Sequence, residues 1–278
     1  MSSLGRQENL HHENWRYVSL LVLCAAALLI GVPARSKAQN LLAPARVAES
    51  ASSSSALQTA PSTIVIGFMG GMVKRNEPTR SEVQLAAKLR EEFPNAAYID
   101  TYENAHWKDA RDKILKLLDV DKNGKLSPDE KQRAHIILFG HSWGASATVT
   151  LARDLGNFGI PVLLTVQVDS VQKVGQKDDV IPSNVFEAIN FFQPDGMLHG
   201  RKQIRAEDPA KTKILGNQEL RYKHTSLSCK GYPWQQRLFA KEHMYIECDP
   251  EVWTQIEALI RSRLPQLQAQ APTRTQAN

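Results

Sequence analysis

The chain has 278 residues, 42% of them apolar and 23% charged, with 15 glycines. That composition excludes wholesale disorder and collagen-like or coiled-coil sequence, and it leaves enough apolar residues to bury a sizeable core. The formal charge of +5 falls to +3 once the four basic and two acidic side chains of residues 1–38 are set aside, which is too mild and too evenly spread to argue for a nucleic-acid partner.

Residues 1–38 have the layout of a signal peptide. Arg16 supplies positive charge, residues 18–32 are an apolar run, and Ser36-Lys37-Ala38 places small residues where a peptidase cuts. The expectation is a secreted or periplasmic protein. The run is short of the roughly 20 residues of a spanning helix, so a membrane tether is expected only if the segment is retained. Cys24 follows Leu23, where a lipoprotein cleavage site needs a small residue, so lipidation is not expected. Residues 39–62, Ala/Ser/Pro-rich around Ser52-Ser53-Ser54-Ser55, are expected to be a disordered linker.

From residue 63 onward, apolar runs of strand length alternate with helical patterns. Residues 63–68 predict a strand, broken by Met69-Gly70-Gly71. Residues 81–93 carry Val83, Leu85, Ala86, Leu89 and Phe93 on roughly one helical face, and 97–101 predict a short strand. A second helix, 107–118, shows Ala110, Ile114, Leu117 and Leu118. After an Asp/Asn/Gly-rich loop come a buried strand at 134–139 and a small-residue helix at 145–155, then strands at 161–168 and 185–192. Residues 249–264 predict a closing helix, with Val252, Ile256, Ile260 and Leu264 at four-residue spacing, and 265–278 are expected to be a disordered tail. The alternation predicts one α/β domain over 63–264, a mostly parallel sheet with helices on both faces. Outside the signal segment the cysteines are Cys229 and Cys248. An export compartment permits a disulfide between them, and two buried thiols are the other reading.

Gly140-His141-Ser142-Trp143-Gly144 matches G-x-S-x-G, the turn that exposes a nucleophilic serine between a strand and a helix. At ordinary residue frequencies the pattern arises by chance in roughly one chain in ten of this length, so context decides its weight. Here it joins the apolar run Ile136-Ile137-Leu138-Phe139 to the helix beginning Ala145-Ser146-Ala147, as the motif demands. On these residues the chain resembles the α/β-hydrolase superfamily from about residue 63 to 264. The resemblance implies a serine esterase or lipase-like enzyme with the chain order Ser, acid, His. It implies Ser142 as nucleophile and His243, a few residues before the final helix, as general base, with His224 as the rival; His135, His141 and His199 are expected to be packing or surface residues. The acid is Asp169, directly at a strand end, or Asp195 in a later loop, with Asp169 favoured because a strand end fixes it better. Oxyanion donors are implied at the amides of Met69 (or the adjacent Gly70) and Trp143.

An independent motif lies upstream. Residues 119–130 fit the twelve-residue EF-hand loop at every defined position. Calcium takes hard oxygen donors, and Asp119, Asp121, Asn123, the carbonyl of Lys125 and a bidentate Glu130 supply them, with Ser127 directly or through water. Gly124 permits the sharp turn and Leu126 is the apolar anchor. A strand starts within a few residues of Glu130, leaving no room for a full exiting helix, so the expectation is a single structural calcium site. Together the motifs predict an exported hydrolase acting on a small-molecule ester or lipid-like substrate. The alternative is a catalytically silent, calcium-dependent binding or scaffold protein on the same fold.

Overall fold

The computed structural model describes residues 63–232 and 240–264, all within one compact unit. The expected signal segment 1–38, linker 39–62 and tail 265–278 lie outside the described residues. The strands are β1 (Thr63–Met69), β2 (Ala97–Glu103), β3 (His135–His141), β4 (Val162–Val168), β5 (Val180–Ile181), β6 (Val185–Phe192), β7 (Arg205–Ala206) and β8 (Lys213–Glu219). The helices are α1 (Ser81–Glu92), α2 (Trp107–Leu118), the single short turn α3 (Pro128–Gln132), α4 (Trp143–Asn157), α5 (Lys241–Cys248) and α6 (Pro250–Arg261). None of the described helices is long and apolar enough to cross a membrane.

Six strands form one sheet in the order β2-β1-β3-β4-β6-β8, every neighbouring pair parallel; β5 and β7 make a separate two-stranded ladder. Period-two alternation sends side chains to both faces. On one face Val65, Ile137, Phe139 and Val166 pack under Leu85 and Leu89 of α1 and Trp253 and Ile256 of α6. On the other, Ile64, Ile66, Ile136 and Leu138 pack under Ile114 of α2 and Val149 and Leu151 of α4. This is an α/β-hydrolase fold, the mostly parallel sheet with helices on both faces that the sequence predicts.

The register positions the site. Phe68 pairs with Gly140, and His141 with Val168, so β1, β3 and β4 end level with one another. The chain turns one way from β1 to β2 and the other way from β3 to β4, and a crevice opens at the carboxyl ends where the order reverses. The short elements α3, β5 and β7 have no counterpart in the sequence expectation, and three larger ones depart from it. β8 (KILGNQE) is an edge strand with little buried surface, so it shows no apolar alternation. α5 (KEHMYIEC) has its apolar residues consecutive and not on a helical period. The closing helix spans Pro250–Arg261, because the Asp249 side chain accepts from the Glu251 amide and caps it. Cys248, the last residue of α5, is disulfide-bonded to Cys229 with Cα atoms 5.6 Å apart.

Candidate active site

Ser142 sits between β3 and α4 with φ 56° and ψ −124°, a conformation costly for a residue with a side chain and kept only where the surroundings over-determine it. Its amide donates to Val168 O at 2.9 Å, and its carbonyl accepts from the Ser146 and Val171 amides. The flanking glycines are required by contact. A Cβ on Gly144 would collide with Phe68 O at the end of β1, and one on Gly140 would lie 2.8 Å from that same oxygen. The strand, the turn and the first turn of α4 are pressed too closely for any other residue.

Asp169 follows β4 directly, also at positive φ, with no exposure. Its carboxylate accepts from four donors: His243 Nδ1 at 2.7 Å, the Gly200 amide at 2.7 Å, Gln193 Nε2 at 2.9 Å and the Gln193 amide at 3.2 Å. Asp195 is engaged elsewhere. It accepts from the amides of Tyr222 and Lys223 and from Arg221, and these bonds, the Tyr222 amide first, hold its carboxyl below the usual range. His243 is buried on α5, whereas His224 is exposed on a loop.

Ser142 and His243 line one cavity of about 280 Å³, with Gly70, Trp143, Val171, Leu198 and Met244 among the other residues of its wall. Met69 is the last residue of β1, wholly buried and outside that wall; Gly70, next in the chain, lies in it. Trp143 is the first residue of α4, so its amide is one that the helix leaves without an internal partner.

Behind His243 lies a buried group of charged side chains that sequence reasoning did not bring together. His141 is buried, as a packing residue should be, yet its ring stacks on that of His243 at 4.4 Å between centroids and its Nε2 lies 3.1 Å from His243 O. A carbonyl only accepts, so Nε2 carries the proton. His141 Nδ1 lies 3.3 Å from Glu247 Oε2, and both Glu247 oxygens accept from Arg80 at 3.2 and 3.0 Å. Glu82 is fully buried alongside, with neither carboxylate oxygen at hydrogen-bond geometry to a partner. Burial, and then the Glu247 charge, push the Glu82 carboxyl well above its ordinary value; burial, then the His243 and Arg80 charges, push the His141 imidazole well below its own. Both shifts favour the neutral forms of Glu82 and His141. The residues come from the cap of α1, α1 itself, β3 and α5, and no local spacing announces them.

The loop 119–130 joins α2 to α3. Asp119 accepts from the amides of Asn123 and Gly124, Asn123 Oδ1 from the Lys125 amide, and Glu130 from the amides of Val120 and Ser127. Lys122 and Gly124 take positive φ, which gives the turn its curvature. Carboxylate oxygens of Asp119, Asp121 and Glu130 come within 4.8 Å of one another. Leu126 packs against the core below α2, and α3 ends within five residues. This is a set of hard oxygen donors on a closed loop, which fits a calcium ion.

No family model matches the sequence, and no curated protein matches it. Among solved structures, the chain is similar to a cutinase-like protein from Cryptococcus sp. at 14% identity and TM-score 0.39, over 74% of this chain and 96% of that one. It is also similar to the RedJ thioesterase from the prodiginine biosynthetic pathway in Streptomyces coelicolor, at 11% identity and TM-score 0.39 over 74% and 92%. An acetylxylan esterase matches at 10% identity and TM-score 0.36 over 74% and 100%. Likeness at this level says nothing of the substrate.

Proposed function

We propose that the protein is a serine hydrolase cleaving carboxylic esters with an apolar acyl or alcohol portion. Ser142 Oγ attacks the ester carbonyl carbon as His243 Nε2 takes its proton. Asp169, bonded to Nδ1, keeps Nε2 free to accept and balances the imidazolium that forms. The tetrahedral intermediate collapses, the alcohol leaves with the proton from His243, and water cleaves the acyl-enzyme by the same proton route. The Trp143 amide and the first loop, at Gly70 or Met69, receive the oxyanion, and the N-terminus of α4 favours the developing negative charge. The apolar wall of Val171, Leu198 and Met244 suits a hydrocarbon substituent.

Calcium belongs to the fold in this reading. Asp119, Asp121, Asn123, the Lys125 carbonyl and Glu130 would hold it, neutralising carboxylates that otherwise repel, with Ser127 beside them. The loop lies before β3 and Ser142 after it, and a seven-residue strand spans roughly 20 Å, so the ion is too far to polarise a substrate carbonyl. An exported location agrees with the disulfide.

The observation that supports the reading most is the 2.7 Å contact of His243 Nδ1 with a fully buried Asp169, in the cavity wall that also carries Ser142. A fluorophosphonate probe should label the wild type and leave Ser142→Ala unlabelled, with short-chain ester turnover lost in parallel. Labelling or turnover retained by Ser142→Ala would overturn the proposal.

A further inference from the structure

Three apolar side chains stand almost wholly in solvent: Met72 at 95% exposure, Met197 at 98% and Val174 fully out. All three lie on loops leaving the carboxyl ends of sheet strands: Met72 after β1, Val174 after β4 and Met197 after β6. Contacts gather these loops around the mouth of the cavity. Asn104 Nδ2 donates to Met69 O and Gly71 O, and Asn104 Oδ1 accepts from Lys173, whose Nζ sits 5.1 Å from the Trp143 ring. Leu198, beside Met197, shares the cavity wall with Trp143, and both are more than one-third exposed. A second depression runs from Val171, which the cavity also uses, past Val174 to His199 and Arg201.

We propose that this rim docks on an anionic lipid–water interface and brings Ser142 to esters held there. Delivery of esters to Ser142 rests on the hydrolase reading; the docking does not. Two features favour a lipid surface over a protein. The side chains project almost wholly into solvent from three separate loops, which suits insertion among acyl chains. The exposed charged residues of the three loops are Lys74, Arg75, Lys177 and Lys202, all cationic, while the carboxylates Glu77, Asp179 and Asp195 and the cation Lys173 are half-buried. Glu103 and Asp100 pair with Lys74 and Arg75, which leaves Lys177 and Lys202, with Lys173 over Trp143, as the cationic flank for anionic headgroups.

The two rim methionines report on docking at their own positions, whatever else in the full chain meets a membrane. Hydrogen peroxide converts exposed Met to sulfoxide, and peptide mass spectrometry reads each residue separately. Vesicles of dimyristoyl phosphatidylglycerol and phosphatidylcholine should slow oxidation of Met72 and Met197 at least fivefold. Phosphatidylcholine vesicles should do so less than twofold, and 0.5 M NaCl should reverse most of the protection. The variant carrying Met72→Ser, Val174→Ser and Met197→Ser should keep its melting temperature, since these side chains pack on nothing, and should cosediment with anionic vesicles at least tenfold less. Ser142→Ala should be protected like the wild type, so a failed hydrolase reading leaves this test standing. Unchanged oxidation rates with anionic vesicles would overturn the proposal. So would protection that follows protein concentration without lipid, which would assign the rim to a second copy, or a triple variant that sediments like the wild type.

Discussion

Both ends of β3 carry a cluster of acidic groups, and the two are resolved in opposite ways. Before the strand, Asp119, Asp121 and Glu130 converge on a solvent-facing loop; after it, Glu82 and Glu247 converge with His141 in the core. In the loop, backbone amides donate to the carboxylates, and Glu130 is held below the usual carboxyl range by the Ser127 amide first. In the core, burial and then the neighbouring Glu247 charge push the Glu82 carboxyl well above its ordinary value, which favours its protonated form. Crowded carboxylates thus read differently according to what surrounds them: one cluster, met by backbone amides, is a candidate ion site, and in the other Glu247 pairs with Arg80 while Glu82 is pushed toward its neutral form.

If the two ends divide labour as proposed, changes after β3 should reach turnover and changes before it only stability. The largest effect is expected for Asp169→Asn, about 10³- to 10⁴-fold in kcat, by analogy with the loss on altering the triad acid elsewhere. Asp195→Asn should change kcat less than about threefold. Steady-state kinetics with a soluble ester ranks the two, and the reverse ranking would reassign the acid.

Next comes Arg80→Met, which strands Glu247 as a buried charge without its guanidinium partner. Removing one member of such a pair costs about 3–5 kcal/mol, read by denaturant unfolding. A loss under about 1 kcal/mol would mean that the pair carries little charge in the native state.

Calcium at 10 mM should stabilise by about 1.4–2.7 kcal/mol if the site binds at roughly 10⁻³ to 10⁻⁴ M. The melting temperature should rise by a few degrees, and Glu130→Gln should abolish the rise. Turnover of the folded enzyme with and without a chelator should agree within about twofold; activity wholly restored by the ion would break the proposed division.

The remaining effect is a change of slope with pH. Glu82, raised in the folded state, contributes stability present below its unfolded value of about 4.3 and lost as pH rises from there through its folded value. His141, lowered, contributes stability present above its unfolded value of about 6.5 and lost as pH falls below it. Between about pH 4.3 and 6.5 the two oppose, each by up to about 1.4 kcal/mol per pH unit. Glu82→Gln should therefore make the melting temperature climb more steeply with pH over that window, and His141→Asn should make it climb less or fall. Parallel profiles for both variants and the wild type would show that neither group titrates as described.

The two clusters also explain what the sequence could reveal. Loop 119–130 was legible because its donors lie within twelve consecutive residues, and the Ser142 turn because a strained elbow needs glycines at fixed offsets. The central strands and α4 were legible because burial on both faces writes continuous apolar runs. The core cluster was not, since Arg80, Glu82, His141 and Glu247 meet only after the sheet has formed. Nor was α5, whose helix is held by tertiary contacts: the His141 bond to His243 O, Ser81 Oγ on Glu247 O and the Cys248 disulfide. The edge strand β8 lacks the buried face that produces alternation. Asp195 was the open alternative for the acid because chain order alone does not say which carboxylate a histidine will meet.

The place of β3 in the sheet has a consequence for how the protein fails on heating. Its backbone is paired on both sides, with β1 and with β4, so its amides should exchange with solvent only in the fully unfolded chain. Helix α5 belongs to no sheet: the buried side chains of Met244, Tyr245 and Ile246, the disulfide and side-chain bonds hold it, with no strand ladder, so it should open before β3 does. The half of the site built on the strand would then outlast the half that carries His243. Inactivation should precede loss of the far-ultraviolet signal, and cooling from that interval should restore activity without refolding the sheet.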